Sequence, residues 1–158
     1  MVNRRFKVGL FVFLIALQIV FQRYVDVLKL NPDLLYLILV YISVKSGFIK
    51  TVFSATAVGL VTDYFSMQVM GVFGFSRTLI AYLLNETSQH IDLKNNALVF
   101  LLTAVSLFVS NLVANLFFHI IAKTPFQLSL VVYQPLLTGL FAVLILFPGK
   151  IRQYLDVY

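Results

Sequence analysis

The stretch GLVTDYFSMQVMGVFGFSR, Gly59 to Arg77, places one carboxylate, Asp63, and one guanidinium, Arg77, among apolar residues and three glycines. A second polar group follows downstream, where Asn111, Asn115 and His119 recur at intervals of four. On a helix that spacing sets all three along one face, with Thr103, Ser106 and Ser110 as a neighbouring stripe. The chemistry open to these side chains is charge pairing, hydrogen bonding between helices, lining of a binding groove, or proton relay by His119. Catalysis is not expected. His90 and His119 do not stand at a metal-ligand spacing, and the chain shows no nucleophile elbow, phosphate-binding glycine loop or paired-carboxylate motif. A catalytic triad is defined by geometry rather than by order along the chain. No catalytic, cofactor-binding or metal site is therefore assigned.

The elements that carry these residues follow from the solvent the chain must face. Of 158 residues, 61% are hydrophobic and only 11% are charged, with a mean hydropathy of +0.96. A soluble domain needs about a quarter of its residues charged to cover its surface, so most of this surface faces something other than water. An integral membrane protein of one domain, residues 1–158, is the expectation. There is no cysteine, which removes disulfides and thiolate metal sites. The net charge of +6 sits mostly in short loops and tails, where it reads as a topology signal. No basic stripe interleaves with aromatic residues in the manner of a nucleic-acid surface.

A membrane-crossing helix takes about 20 mainly apolar residues. Six stretches suit one: Phe6 to Tyr24, Asp33 to Val44, Phe48 to Tyr64, Val69 to Leu84, Ala97 to Ile121 and Leu128 to Phe147. The first follows MVNRRFK but precedes no small-residue cleavage site, so it reads as a retained helix. The second is short and reads as partly interfacial or as crossing a thinned bilayer. The last is interrupted by Pro135, with Tyr133, Gln134 and Thr138 around the expected kink, and is stopped by Pro148 and Gly149. The apolar residues surround each run on all sides instead of alternating, which argues against a β-barrel. The expected fold is thus all-α, a polytopic six-helix transmembrane bundle.

Six crossings with the N-terminus inside put Arg4, Arg5, Lys7, Lys45, Lys50, Lys94, Lys150 and Arg152 on the cytoplasmic side. Arg23, Lys29 and Lys123 fall opposite. That bias places both termini in the cytoplasm.

The connection between the third and fourth runs is short enough to force an antiparallel hairpin. Helices in lipid approach closely through small residues, and Ala55, Gly59, Gly71 and Gly74 are available for this. Three roles fit Arg77, near the middle of the fourth run. It snorkels to an interface about 12 Å away, pairs with Asp63 or caps carbonyls inside the bundle, or faces a partner or ligand. Asp63 also reads as a solvated carboxylate at a helix end.

Two segments resemble a known family. NPDLLYLILVYISVKSGFIK, Asn31 to Lys50, and AVGLVTDYFSMQVMGVFGFSRTLIAYLL, Ala57 to Leu84, are similar to the middle region and following hairpin of the MreD family. Pro32, Asp33, Gly59, Asp63 and Gly71 carry the likeness; Arg77 has no counterpart in the family pattern. The resemblance implies a non-enzymatic protein of the bacterial cytoplasmic membrane, without a cofactor. It implies MreC as partner, together with RodA, its penicillin-binding transpeptidase and MreB, the machinery of lateral peptidoglycan synthesis and cell shape. It also implies a fold like the substrate-binding subunits of energy-coupling-factor vitamin transporters. A solute-binding membrane subunit of that kind is the alternative function, with Asn111, Asn115 and His119 lining its pocket.

Overall fold

The computed structural model describes residues 32–66, 69–90 and 96–146. The expected helix at 6–24, Lys94 and the basic residues near both ends lie outside them. Within the described residues the secondary structure is helical: α1 (Leu34–Lys45), α2 (Phe48–Ser66), α3 (Val72–Ser88), α4 (Asn96–Ala122) and α5 (Gln134–Leu146), with a π-helical turn, Ser129–Tyr133, leading into α5. These elements match the expected runs to within a few residues at their ends.

α1 departs from expectation. The sequence reads as partly interfacial, yet Leu34, Leu35, Tyr36, Leu37, Leu39, Val40 and Ser43 are all buried. Neighbours cover most of its circumference, leaving Tyr41 exposed. Tyr36, Leu39 and Val40 meet Ala55 of α2, Ile80 and Ala81 of α3 and Leu107 of α4. Leu34 and Leu37 meet Val99 of α4 and Ala142 of α5. At 12 residues it is about 18 Å long, shorter than a hydrocarbon layer of about 30 Å, and it packs among the other described helices.

α4 is the described helix whose length and composition suit a membrane crossing, with 26 apolar-rich residues from Ala97 to Ala122. α2 is diluted by Thr51, Ser54, Thr56, Gly59 and Thr62. α2 and α3 form the expected hairpin, and α4 and α5 run antiparallel, Gly139 lying against Phe100 and Ala104. A third apolar cluster, Val72, Phe73, Ala114 and Phe118 with Val69 and Leu130, ties the hairpin turn to the end of α4.

The π turn leaves one carbonyl without a backbone donor. In its register each carbonyl is bonded by the N–H five residues on, as Gln134 N–H bonds Ser129 O. Leu130 O would need the N–H of Pro135, which proline lacks. Asn111 Nδ2 supplies it from α4 at 2.7 Å.

Candidate functional site: a buried charge junction

Asp33 is the N-cap of α1. Its Oδ1 accepts from Tyr36 N–H at 3.0 Å, which satisfies one of the free donors at a helix start. Its own N–H donates to Thr138 Oγ1 on α5 at 2.9 Å. The remaining oxygen, Oδ2, accepts from Arg77 Nη2 on α3 in a buried ion pair. Arg77 Nη1 donates to Thr62 Oγ1 on α2 at 2.6 Å. Four helices therefore meet at one pair of opposite charges. The guanidinium carbon lies 5.4 Å from the Phe73 ring centre and 5.9 Å from that of Tyr36, within the range of cation–π attraction. Its Nε makes no hydrogen bond.

This corrects the sequence reading of Arg77. It neither snorkels nor pairs with Asp63; its side chain is 1% exposed and its counter-charge is Asp33. Pairing is the expected solution, since an uncompensated ion in an apolar interior is the more costly state.

Asp63 is the cap of a different helix from its own. It is buried, not solvated as a helix-end reading has it, and it accepts three N–H bonds from the start of α3. Gly71 and Gly74 donate to Oδ2 and Phe73 to Oδ1, each at 2.9 Å. A carboxylate at a helix N-terminus is also favoured by the helix dipole. The chain enters α3 through Gly71 at φ 97°, a left-handed conformation natural to glycine. Gly71 thus serves the turn and not helix packing, while Gly59 and Gly74 form the close contact. A Cβ on Gly59 would stand 2.5 Å from Gly74 Cα and 2.7 Å from Phe73 O.

The polar stripe of α4 serves the backbone that follows it. Asn111 bonds Leu130 O and Gln134 Oε1. Asn115 exchanges two bonds with the backbone of Gln127, at 3.2 and 3.4 Å. His119 Nδ1 donates to Thr124 O at 3.0 Å. These bonds hold the connection from α4 to the π turn, while Thr103 Oγ1, Ser110 Oγ and Asn111 Oδ1 are buried without a hydrogen-bond partner. Pro32 is buried ahead of Asp33.

Sequence reasoning passed over Asn85 and Thr62. Asn85 Nδ2 donates to Ser43 O and Ser46 O at 2.7 and 2.9 Å, closing the C-terminal end of α1. Both residues read as ordinary polar substituents in the sequence. A signal was present for Arg77, because it has just two carboxylates within the neighbouring helices to choose from.

The profile of the family described as rod shape-determining protein MreD matches residues 3–157, nearly the whole chain. The chain belongs to the MreD family. Neither a curated protein nor a solved structure matches it. Membership makes this a rod shape-determining membrane protein, and α4 supplies an apolar helix able to cross the bilayer. In this MreD-family chain the aspartates at 33 and 63 cap helices α1 and α3, and Gly59 and Gly71 shape the hairpin between α2 and α3.

Proposed function

We propose that this chain is a non-enzymatic membrane subunit of the rod-shape complex that binds MreC. It helps to organise lateral peptidoglycan synthesis by RodA, its penicillin-binding transpeptidase and MreB. It crosses the bacterial cytoplasmic membrane several times as a six-helix bundle, with both termini cytoplasmic. The observation that carries this reading is the family match across residues 3–157. The geometry supports it, because the three buried charged side chains among the described residues, Asp33, Asp63 and Arg77, are each engaged in holding helices together. A rigid scaffold is what such an arrangement provides. The alternative, a vitamin-type solute-binding subunit, draws less support from the stripe that motivated it, since Asn111, Asn115 and His119 direct donors to the chain's own backbone and Gln134.

The test is co-purification of MreC with the tagged chain from native membranes, together with depletion in a rod-shaped host. Retention of MreC and rounding of the cells are expected. Unchanged rods and no retained MreC would refute the proposal. A saturable thermal shift with one vitamin would favour the alternative.

A further inference from the structure

The described helices form two hydrogen-bonded units. In the first, Arg77 ties α3 to α1 and α2, Asp63 ties α2 to α3, and Asn85 ties α3 to the end of α1. Thr56 and Thr78 add a bond between hydroxyls of α2 and α3 at 2.9 Å. In the second, Asn111 and Asn115 of α4 hold the chain that leads into α5, and Phe100 and Ala104 lie against Gly139.

The seam between the units is different. Among the described residues, the hydrogen bond that crosses it is Asp33 N–H to Thr138 Oγ1 at 2.9 Å. Its other contacts are apolar. Leu107 clusters with Tyr36 and Leu39, Ala114 and Phe118 cluster with Val72 and Phe73, and Phe117 meets Phe75 edge to face. Yet polar groups are buried there without being used. Thr103 and Ser110 stand four residues before Leu107 and Ala114, and so on the same face of α4. Both are 0% exposed, as is Tyr36 of α1, and all three hydroxyls lack a partner. Tyr36 approaches Ser106 but stops short of hydrogen-bond geometry, while Ser106 donates to Thr103 O.

Buried polar groups are nearly always satisfied, and helices in lipid hold one another by close packing and hydrogen bonds. A seam that leaves its hydroxyls unmatched is therefore weaker than either unit. Thr103 and Ser110 lie about one turn to either side of Ser106. An axial shift of that size, about 5 Å, is a known step between packed elements, and it carries the Tyr36 hydroxyl to an unpartnered one.

We propose that this seam is a sliding plane. α4 and α5 move as one body along the α1–α3 unit, and the Asp33–Thr138 bond is the latch that holds the described position. The buried charges make the first unit rigid without fixing it to the second. A subunit with two such positions is switched by any partner that fits one of them better.

The chain has no cysteine, so pairs of spin labels can be placed at will on the full chain in nanodiscs. Three pairs of exposed positions staggered along the helices are used. Tyr64→Cys with Leu83→Cys lies inside the first unit, Ile120→Cys with Leu144→Cys inside the second, and Leu83→Cys with Ile120→Cys spans the seam. Electron–electron distance measurements should give one narrow distance for each internal pair and two distances across the seam. Thr138→Val should raise the ratio of the second to the first about fivefold, the weight of one hydrogen bond. Thr103→Val with Ser110→Ala removes the hydroxyls that reward the shift and should lower that ratio. One narrow distance across the seam in both wild type and Thr138→Val overturns the proposal. So does equal broadening of all three pairs, which describes a bundle that loosens everywhere. If Thr138→Val loses its helical circular dichroism, the wild-type distances decide.

Discussion

Gly59 of α2 lies so close to Gly74 of α3 that a methyl group on the former would come within 2.5 Å of the latter's Cα. The two backbones touch without intervening side chains, which is how helices gain packing energy where water gives them none. The contact also brings Asp63, one turn further along α2, to the start of α3.

The three glycines of the hairpin should respond in a fixed order. Gly59→Ala forces two backbones apart and is expected to cost about 1–3 kcal/mol. Gly71→Ala meets no neighbour but must hold φ 97°, at about 1–2 kcal/mol. Gly74→Ala makes contacts no shorter than 3.4 Å and gains helix propensity of about 1 kcal/mol, so it should be close to neutral. Thermal unfolding of the three variants in detergent gives the ranking.

Replacing one member of the Asp33–Arg77 pair leaves the other charge buried. Asp33→Asn keeps an acceptor for Tyr36 N–H, so its effect reports the charge. A loss of about 3–5 kcal/mol is expected, and the same for Arg77→Met. The double variant should cost clearly less than the sum. Additive losses in a double-mutant cycle would mean that the pair is not coupled.

Asp63→Asn removes one of two acceptor oxygens and turns an amide donor toward N–H groups. The three bonds to Gly71, Phe73 and Gly74 cannot all survive. Bonds to charged acceptors are worth about 1.5–3 kcal/mol each, so a loss of at least that size is expected. Hydrogen exchange at the Phe73 and Gly74 amides should accelerate first, ahead of the amides in the middle of α4.

Asn111 and Pro135 should behave as a matched pair. Asn111→Leu leaves Leu130 O without its donor and is expected to cost about 1–3 kcal/mol. Pro135→Ala restores an N–H at the position from which the π register would bond that carbonyl. The double variant should therefore be more stable than Asn111→Leu alone. Equal stability of the two would show that Asn111 does not stand in for the missing group.

Much of the helical layout was legible because apolar runs ended at polar or breaking residues: Ser46–Gly47, the short connection after Tyr64 and the polar stretch from Asn85, although the start of α3 at Gly71 was read as part of the run. The hairpin followed from a connection too short for any other path. What the sequence hid was direction. α1 is apolar all round, and that pattern describes a helix facing lipid as well as one enclosed by protein. The stripe Asn111, Asn115, His119 was visible, but its targets are backbone atoms of Thr124, Gln127 and Leu130, which have no signature in residue types. Arg77 was conspicuous, yet its partner lies 44 residues earlier. Asp33 stood out through family resemblance and not through any spacing.

That interval also orders the birth of the molecule. Asp33 enters the membrane 44 residues ahead of the cation that neutralises it, and Thr138, which holds its backbone, arrives 105 residues after it. A nascent chain that ends before Arg77 holds the Asp33 carboxylate at its helix cap without the counter-charge the finished fold gives it. The contacts of Asp33 are complete only once the last described helix is in place, so the first described helix is locked by the last.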